Sequence, residues 1–360
     1  MFWKQLTISG VALMLSGMLL ADLQTGLQLE FDGRVRTYDL FTPSLADSSP
    51  QPLVLDLHGL TSNATQQRVF SELDKIASQQ NFFAVWPNAL GGSWNSVIGK
   101  DGIDDVGFLR ALVDKISSQY TIDPARIYVT GFSQGGIMVS RLACEADDLF
   151  AAFASVAGSI VRGSEDGCSP QRPVPFMAWR GENDDVVPYN GGIVQGLRLP
   201  INVMSAKQVF DFWRGKNECS NTVDRKNLGN SSFCEEARNC GHGTRTQACT
   251  VQGSGAPTPH WIYNNTAGLD LGQEIWDFFA PFEHPDPSSN SFTINAGLND
   301  AWFDSDTAGQ GFLIVVFPER LEVFLAWFTY DTERPPPSTP SNLGEAGHRW
   351  FTAQGRTSGN

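Results

Sequence analysis

The sequence predicts an α/β fold with a mostly parallel sheet flanked by helices. Short, nearly continuous apolar runs alternate with longer segments in which apolar residues recur at helical spacing. The run 82–87, Phe-Phe-Ala-Val-Trp-Pro, is apolar throughout, as expected of a strand buried on both faces of a parallel sheet. A hydrophobic content of 41% with 18% charged residues is ordinary for a globular protein, so a large core is expected.

Each element has its own local signal. The chain opens with a predicted β-meander over 27–41 and 52–57, with turns at Asp32-Gly33 and Ser48-Ser49-Pro50. Apolar runs bounded by turn residues predict further strands at 82–87, 126–130, 152–156, 175–179 and 247–252. Helical apolar spacing predicts helices at 65–79, 104–119, 134–145, 204–213 and 272–279.

Length and composition predict two unequal domains. A chain of 360 residues exceeds the ~250–300 residues at which single cores stop growing. Residues 285–291, rich in Pro and Ser, interrupt the periodic pattern and are the predicted linker between a main domain, 22–284, and a module, 292–360. Strands at 311–317, 321–331 and 348–353 make this module a small β unit. Three strands bury little surface, so it packs on the main domain, oligomerises or is part of a longer domain.

The first 21 residues have the pattern of an export signal. A short basic start is followed by an apolar run over 6–20 and by the small residue Ala21. The alternative is a membrane anchor, but Thr7, Ser9 and Ser16 interrupt a run that falls short of the ~20 residues of a span. We therefore expect a secreted protein, extracellular or periplasmic, with no membrane span.

Six cysteines, an even number in an exported chain, predict three disulfide bonds. A zinc site is the alternative, since Cys240 and His242 are close, but the chain has neither a CxxC nor an HxxxH pair. Asp300, Asp304 and Asp306 faintly resemble a calcium loop without its terminal Glu. No metal is expected. A net charge of −14 without a Lys/Arg cluster argues against a nucleic-acid partner.

The run Gly131-Phe132-Ser133-Gln134-Gly135 has the GxSxG pattern of a serine nucleophile. The pattern alone is weak, but here it follows a predicted strand and precedes a predicted helix. The two glycines remove side chains where strand and helix crowd together, so that Ser133 projects from a strained turn. A glycine-rich connection without chemistry is the alternative interpretation.

A serine nucleophile needs a base and an orienting carboxylate, which follow it in the order Ser, Asp, His in this fold class. Asp184, in a loop after a predicted strand, is the candidate carboxylate, with Asp185 in reserve; a solvated acidic turn is the alternative. His260, between the last strand and the closing helix, is the candidate base. The other late histidines are less suited by position: His242, His284 and His348.

The negative charge that develops on an attacked carbonyl needs backbone donors. One is expected from Gln134, directly after the nucleophile. The second is expected from the loop after strand 52–57, where Gly59 permits an unusual turn, and Leu60 or its neighbour Thr61 is the candidate. His58 is expected to shape this loop through a side-chain hydrogen bond.

Three tryptophans are candidates for substrate binding: Trp94, Trp179 and Trp261. An indole ring suits a groove for a sugar or an aromatic group. The alternative is that these side chains belong to the core.

Several separated motifs occur in the order of a known family. They are residues 52–67 with His58-Gly59, 104–109, 122–124, 131–136 and 184–189. Over residues 27–282 the chain thus resembles the polyhydroxybutyrate depolymerase and feruloyl esterase family, also called carbohydrate esterase family 1-like. The resemblance implies a secreted α/β-hydrolase without a cofactor, and it supports Ser133 and Asp184.

The resemblance also implies pairings for the cysteines, and the chain differs from the family pattern at a few positions. It suggests disulfide bonds Cys144–Cys168 and Cys219–Cys240, which leaves Cys234 and Cys249 as an additional pair. Arg180 stands where the family has a His before Gly181, and residues 256–259 intervene between a Gly run and His260. The tail from Asn295 resembles a small β-repeat module appended to exported bacterial proteins.

Together these observations predict a secreted serine esterase that acts through an acyl-enzyme on a carboxylic ester. The resemblance implies that this ester belongs to a polymer. The polymer stays open between a polyhydroxyalkanoate and a feruloylated or acetylated polysaccharide. The alternative is a non-catalytic secreted protein that binds a polymer through the aromatic residues of 292–360. The oligomeric state is not predicted.

Overall fold

The computed structural model describes residues 21–44, 49–195, 200–253, 258–263, 265, 268–285, 300–302, 311–317, 322–330 and 348–356. The predicted export signal before Ala21, the predicted linker after Pro285, and Asp304 and Asp306 lie outside these residues. Two compact units are present, one up to Pro287 and one from Ser288.

The first unit contains twelve of the described strands. They are β1 (Asp22–Phe31), β2 (Arg34–Thr42), β3 (Gln51–Leu57), β4 (Phe83–Pro87), β5 (Ile122–Phe132), β6 (Ala152–Val156), β7 (Phe176–Gly181), β8 (Gly192–Ile193), β9 (Asn202–Val203), β10 (Val223–Gly229), β11 (Ser232–Ala237) and β12 (Thr246–Val251). Its described α-helices are α1 (Ala64–Ser71), α2 (Leu73–Gln80), α3 (Asp105–Ser117), α4 (Gln134–Glu145), α5 (Ala206–Lys216) and α6 (Leu271–Phe279).

Ten of these strands form one sheet in the order β1-β2-β4-β3-β5-β6-β7-β12-β11-β10. The six central strands from β4 to β12 are parallel, and two antiparallel strands extend the sheet at each edge. The prediction of a mostly parallel sheet flanked by helices is confirmed. Strands β8 and β9 form a separate short hairpin.

Strand side chains alternate between the two faces, so the sheet is covered on both sides. Leu53, Leu55 and Leu57 pack in one buried cluster with residues of α3, α4 and α5. Val54 packs in the other cluster, with residues of α2 and α6. This double burial is why the central strands are continuously apolar.

Two predicted elements are wrong in detail. The opening strands are not a meander, because β4 lies between β2 and β3. Both β3 and β4 are buried on both faces, which places them inside the sheet, and turn residues do not show which strands pair. The single helix predicted at 65–79 is two helices, because Glu72 adopts a left-handed conformation with φ 49° that ends α1.

Three disulfide bonds are present: Cys144–Cys168, Cys219–Cys240 and Cys234–Cys249. The predicted three disulfides and the two pairings implied by the resemblance are confirmed, and the additional pair joins β11 to β12.

The second unit contains a four-stranded antiparallel sheet. Its strands are β13 (Asp300–Trp302), β14 (Gly311–Phe317), β15 (Glu322–Tyr330) and β16 (His348–Arg356), in that order. The sequence analysis did not identify β13. In the described part of the whole chain, no helix is long and apolar enough to cross a membrane.

Candidate active site

Ser133 lies on the sharp turn between β5 and α4. Its backbone has φ 55° and ψ −118°, a conformation that costs a non-glycine residue ~1–3 kcal/mol. The turn is fixed by its backbone, since the Ser133 N–H donates to the Val156 carbonyl at 2.8 Å and the Ser133 carbonyl accepts from Ile137 at 3.0 Å. A Cβ on Gly135 would lie 2.2 Å from the Leu57 carbonyl oxygen, so this position requires glycine.

Asp184 and His260 meet through their side chains. The imidazole Nδ1 donates to Oδ2 of Asp184 at 2.8 Å and lies 3.0 Å from Oδ1. Both side chains are buried, with 8% of Asp184 and 5% of His260 exposed. Two backbone amides also hold the carboxylate, because Val186 and Val187 donate to Oδ1 at 2.9 and 2.8 Å. Asp184 is therefore fixed in position and orients the imidazole.

The second imidazole nitrogen is available for chemistry. Among the described residues, no group forms a hydrogen bond with Nε2 of His260. His260 and Ser133 line the same cavity of about 720 Å³, which we call the Ser133 cavity. The structure thus brings together the three residues that the sequence analysis selected: Asp184 orients the imidazole of His260, and His260 and Ser133 line one cavity.

The remaining histidines lie elsewhere. His242 is exposed in a short turn after Cys240. His284 contacts the Asp147 carbonyl through Nε2 at 3.0 Å, and His348 begins β16 of the second unit. Asp185, the reserve carboxylate, is exposed beside the buried Asp184.

The residues predicted to supply backbone donors, Gln134 and either Leu60 or Thr61, all line the Ser133 cavity. Gln134 is the first residue of α4, where an α-helix offers its N–H no intrahelical acceptor. Thr61 is occupied, because its N–H donates to the Gly92 carbonyl at 2.8 Å. No acceptor for the Leu60 N–H is found among the described residues. Of the two alternatives, Leu60 is therefore the free donor.

His58 holds the loop that carries Leu60. Its Nδ1 donates to the Gly59 carbonyl at 2.6 Å, and its Nε2 accepts from the Ala89 N–H at 3.0 Å. Burial lowers the pKa of His58, which favours the neutral ring that these two contacts require. This is the loop-shaping hydrogen bond that the sequence analysis expects.

Comparisons with solved structures identify this arrangement of strands and turns. The chain is similar to a thermostable esterase, at 18% identity over 73% of this chain and 63% of that one, with a TM-score of 0.51. It is also similar to an acetyl xylan esterase from Aspergillus awamori, at 15% identity over 72% of this chain and 99% of that one, with a TM-score of 0.50. The chain has the α/β-hydrolase fold.

Sequence comparisons connect this α/β-hydrolase to curated esterases. Feruloyl esterase B of Piromyces equi is 31% identical over 252 residues, which are 68% of this chain and 45% of that protein. Bifunctional acetylxylan esterase/xylanase XynS20E of Neocallimastix patriciarum is 28% identical over 280 residues, 78% of this chain and 38% of that protein. The chain thus spans less than half the length of these two relatives. The predicted resemblance to feruloyl esterases is confirmed.

A third comparison covers the part of the hydrolase unit around the nucleophile turn. Residues 69–162 match the prolyl oligopeptidase family. The matched segment contains Ser133 but neither Asp184 nor His260. It therefore reports the strand-turn-helix core of the α/β-hydrolase fold.

The three candidate tryptophans have different positions in the hydrolase unit. Trp261 lines the Ser133 cavity and packs edge-on against Phe70, with ring centroids 4.2 Å apart. Trp94 is buried, and its Nε1 donates to the His58 carbonyl at 2.9 Å. Trp179 is fully buried in the core on β7, with its Nε1 against the sulfur of Met177. The substrate-binding prediction is corrected for Trp94 and Trp179, because both are buried and neither is among the described residues that line the cavity.

Sequence reasoning missed one wall of the Ser133 cavity. Four aliphatic side chains form it, from the segment between Asp184 and α5: Val186, Val187, Val194 and Ile201. Their only signal in the sequence was position, in a loop at the carboxyl end of a strand. No Asp, Glu, Lys or Arg is among the described residues that line the cavity.

A buried carboxyl lies near this site. Asp56, on β3, is fully buried and accepts hydrogen bonds from Nε2 of Gln67 at 2.7 Å and Nε1 of Trp86 at 2.9 Å. Burial is the main cause that raises the pKa of Asp56 to about 7, and these donors oppose it. Within the described ranges, no group of three or more His, Cys, Asp or Glu side chains could hold a metal ion.

Proposed function

We propose that the chain is a secreted serine esterase that hydrolyses neutral carboxylic esters carried by a polysaccharide. One observation carries the catalytic part of this proposal: His260 is held by Asp184 at 2.8 Å, has no hydrogen-bond partner on Nε2 among the described residues, and lines the same cavity as Ser133. A base oriented in this way beside a hydroxyl is what a serine nucleophile needs.

In the proposed reaction, Nε2 of His260 accepts the Ser133 proton while Oγ attacks the ester carbonyl carbon. Asp184 stabilises the imidazolium that forms. The N–H groups of Gln134 and Leu60 donate to the developing oxyanion. His260 then protonates the leaving alcohol, which leaves an acyl group on Ser133. Water activated by the same imidazole hydrolyses this acyl-enzyme and releases the acid.

The cavity lining supports an uncharged ester. Burial of a charged acyl or alcohol group against the aliphatic wall would be costly, because no described lining residue carries an opposite charge. The cavity is also lined by residues with hydroxyl and amide side chains, such as Ser62 and Gln66, which suit the hydroxyls of a sugar. The names of the two relatives, feruloyl esterase and acetylxylan esterase, favour esters on a polysaccharide.

Assays of methyl ferulate, acetylated xylan and polyhydroxybutyrate side by side test the substrate class. We expect release of ferulate or acetate, with Trp261 contacting the aromatic or sugar group. Hydrolysis of polyhydroxybutyrate alone would contradict the proposed class and leave the proposed catalytic residues unaffected.

A matched pair of histidine variants tests the base. His260→Ala is expected to lower kcat for p-nitrophenyl acetate by at least ~10²–10⁴-fold, the usual contribution of a positioned proton acceptor. His242→Ala, at an exposed position, is expected to leave it unchanged. Equal losses in the two variants would refute the assignment of His260.

The proposed export rests on the residues before Ala21 and is supported by three disulfide bonds, which persist in oxidising compartments. N-terminal sequencing of protein recovered outside the cytoplasm is expected to begin near Asp22. An intact Met1 on that protein would refute cleavage.

A further inference from the structure

Arg180 is a buried cation at the carboxyl end of β7, four residues before Asp184. Only 2% of the residue is exposed, and it forms no ion pair with any described residue. Burial lowers the pKa of its guanidinium to about 10, and the negative charge of Asp184 opposes that shift. Arg180 is therefore charged at neutral pH.

The guanidinium binds the backbone of the loop that holds Asp184. Its Nη2 donates to the Val187 carbonyl at 3.1 Å and to the Pro188 carbonyl at 2.9 Å. The N–H of the same Val187 donates to Oδ1 of Asp184 at 2.8 Å. A continuous path of hydrogen bonds thus runs from Arg180 through Val187 and Asp184 to His260.

Burial of Arg180 is unfavourable for the stability of the folded protein. Burial of a charge without a paired carboxylate is unfavourable, and Nε and Nη1 of Arg180 have no partner among the described residues. An apolar side chain of similar length would avoid that cost.

We propose that Arg180 is a positioning residue, which fixes residues 186–188 so that the amides of Val186 and Val187 hold Asp184 in place against His260. This inference rests on the proposed function, because it assigns Arg180 a role through the proposed Asp184–His260 pair. Arg180 is not among the residues that line the Ser133 cavity, so it does not touch the substrate.

The first test separates kcat from KM. Arg180→Met keeps the length of the side chain and removes its charge and donors, and we expect kcat for p-nitrophenyl acetate to fall about 10- to 100-fold, the range expected when orientation is lost. KM and Tm are expected to stay close to those of the parent. Arg180→Lys retains the charge but not the planar fork, and an intermediate kcat is expected. A parental kcat in folded Arg180→Met would overturn the proposal.

A double-mutant cycle with Asp184→Asn tests whether Arg180 acts through Asp184. If it does, Arg180→Met lowers kcat in the parent and has little further effect in the Asp184→Asn background. An equal fold-loss in both backgrounds would indicate a general structural role and overturn the proposal. Arg180→Lys enters the same cycle with the same criteria if Arg180→Met does not fold.

The cycle also distinguishes the two proposals. If Asp184→Asn alone leaves kcat unchanged, the proposed catalytic function fails, whatever Arg180 does. If Asp184→Asn lowers kcat and folded Arg180→Met does not, only the inference about Arg180 fails.

Discussion

Replacement of Asp184 by Asn tests the geometry of the proposed site in detail. Oδ1 of Asp184 accepts from the Val186 and Val187 amides, so the oxygen of an Asn side chain is expected to take that place. The amide nitrogen then replaces Oδ2, 2.8 Å from Nδ1 of His260. Two donors would face each other. The imidazole must therefore carry its proton on Nε2, where it cannot accept the proton of Ser133.

The size of the effect follows from this change of tautomer. A triad with the wrong tautomer loses ~10⁴-fold in kcat, which corresponds to ~5 kcal/mol of activation free energy. The loop amides keep their acceptor, and a buried carboxylate becomes neutral. We therefore expect Tm to change little while kcat falls about 10³- to 10⁴-fold.

The assay is steady-state hydrolysis of p-nitrophenyl acetate, with Tm measured on the same preparations. Asp185→Asn is the matched control, since Asp185 is exposed and forms none of these contacts; it is expected to retain the parental rate. The reasoning is refuted if Asp184→Asn stays folded and keeps kcat within about 10-fold of the parent, against the ~10⁴-fold loss expected for a wrong tautomer.

Three further predictions concern stability. The pKa of Asp56 is raised from 3.8 to about 7 in the folded protein. Between about pH 4 and 7 the folded protein therefore holds a proton on Asp56 that the unfolded chain has released. The contribution of Asp56 to the free energy of unfolding falls as the pH rises through this range. Asp56→Asn removes this effect. In urea titrations, the unfolding free energy of the variant minus that of the parent is expected to be about 4 kcal/mol larger at pH 8 than at pH 4. The same difference at both pH values would refute the prediction. Replacement of Cys234 and Cys249 by Ser, which opens a loop with a sequence separation of 15, is expected to lower the unfolding free energy by ~3 kcal/mol, and an unchanged denaturation midpoint would contradict this. Gly135→Ala places a Cβ 2.2 Å from a carbonyl oxygen and is expected to lower both Tm and activity. Gly215→Ala is the control: its new Cβ contacts nothing beyond its own helix backbone and chain neighbours, and Tm and activity are expected not to fall.

The nucleophile turn could be predicted because its requirements are local. Crowding between strand and helix demands glycine at 135, and the chain order of Ser133, Asp184 and His260 follows from the sheet. The sequence analysis chose His260 over His242 by its position in the chain. The structure supports this choice, because the imidazole of His260 contacts the carboxylate of Asp184.

Other features depend on tertiary packing and leave little trace in sequence. The hairpin of β10 and β11 contains the polar run Asp-Arg-Lys-Asn at 224–227 and lacks apolar alternation, yet pairing with β12 and a disulfide bond hold it in the sheet. Trp179, on β7, and Trp261, after β12, are the same residue type, and only the structure shows that Trp179 belongs to the core and Trp261 lines the cavity.

The central claim is that Ser133 is the nucleophile. Its most direct test is labelling with diethyl p-nitrophenyl phosphate, which phosphorylates an activated serine, followed by peptide mass spectrometry and assay of the remaining activity. We predict one phosphoryl group per chain on Ser133, loss of activity in parallel with labelling, and no label in Ser133→Ala. Complete inactivation with the label on another residue, or a Ser133→Ala variant that hydrolyses p-nitrophenyl acetate at the parental rate, would contradict the account.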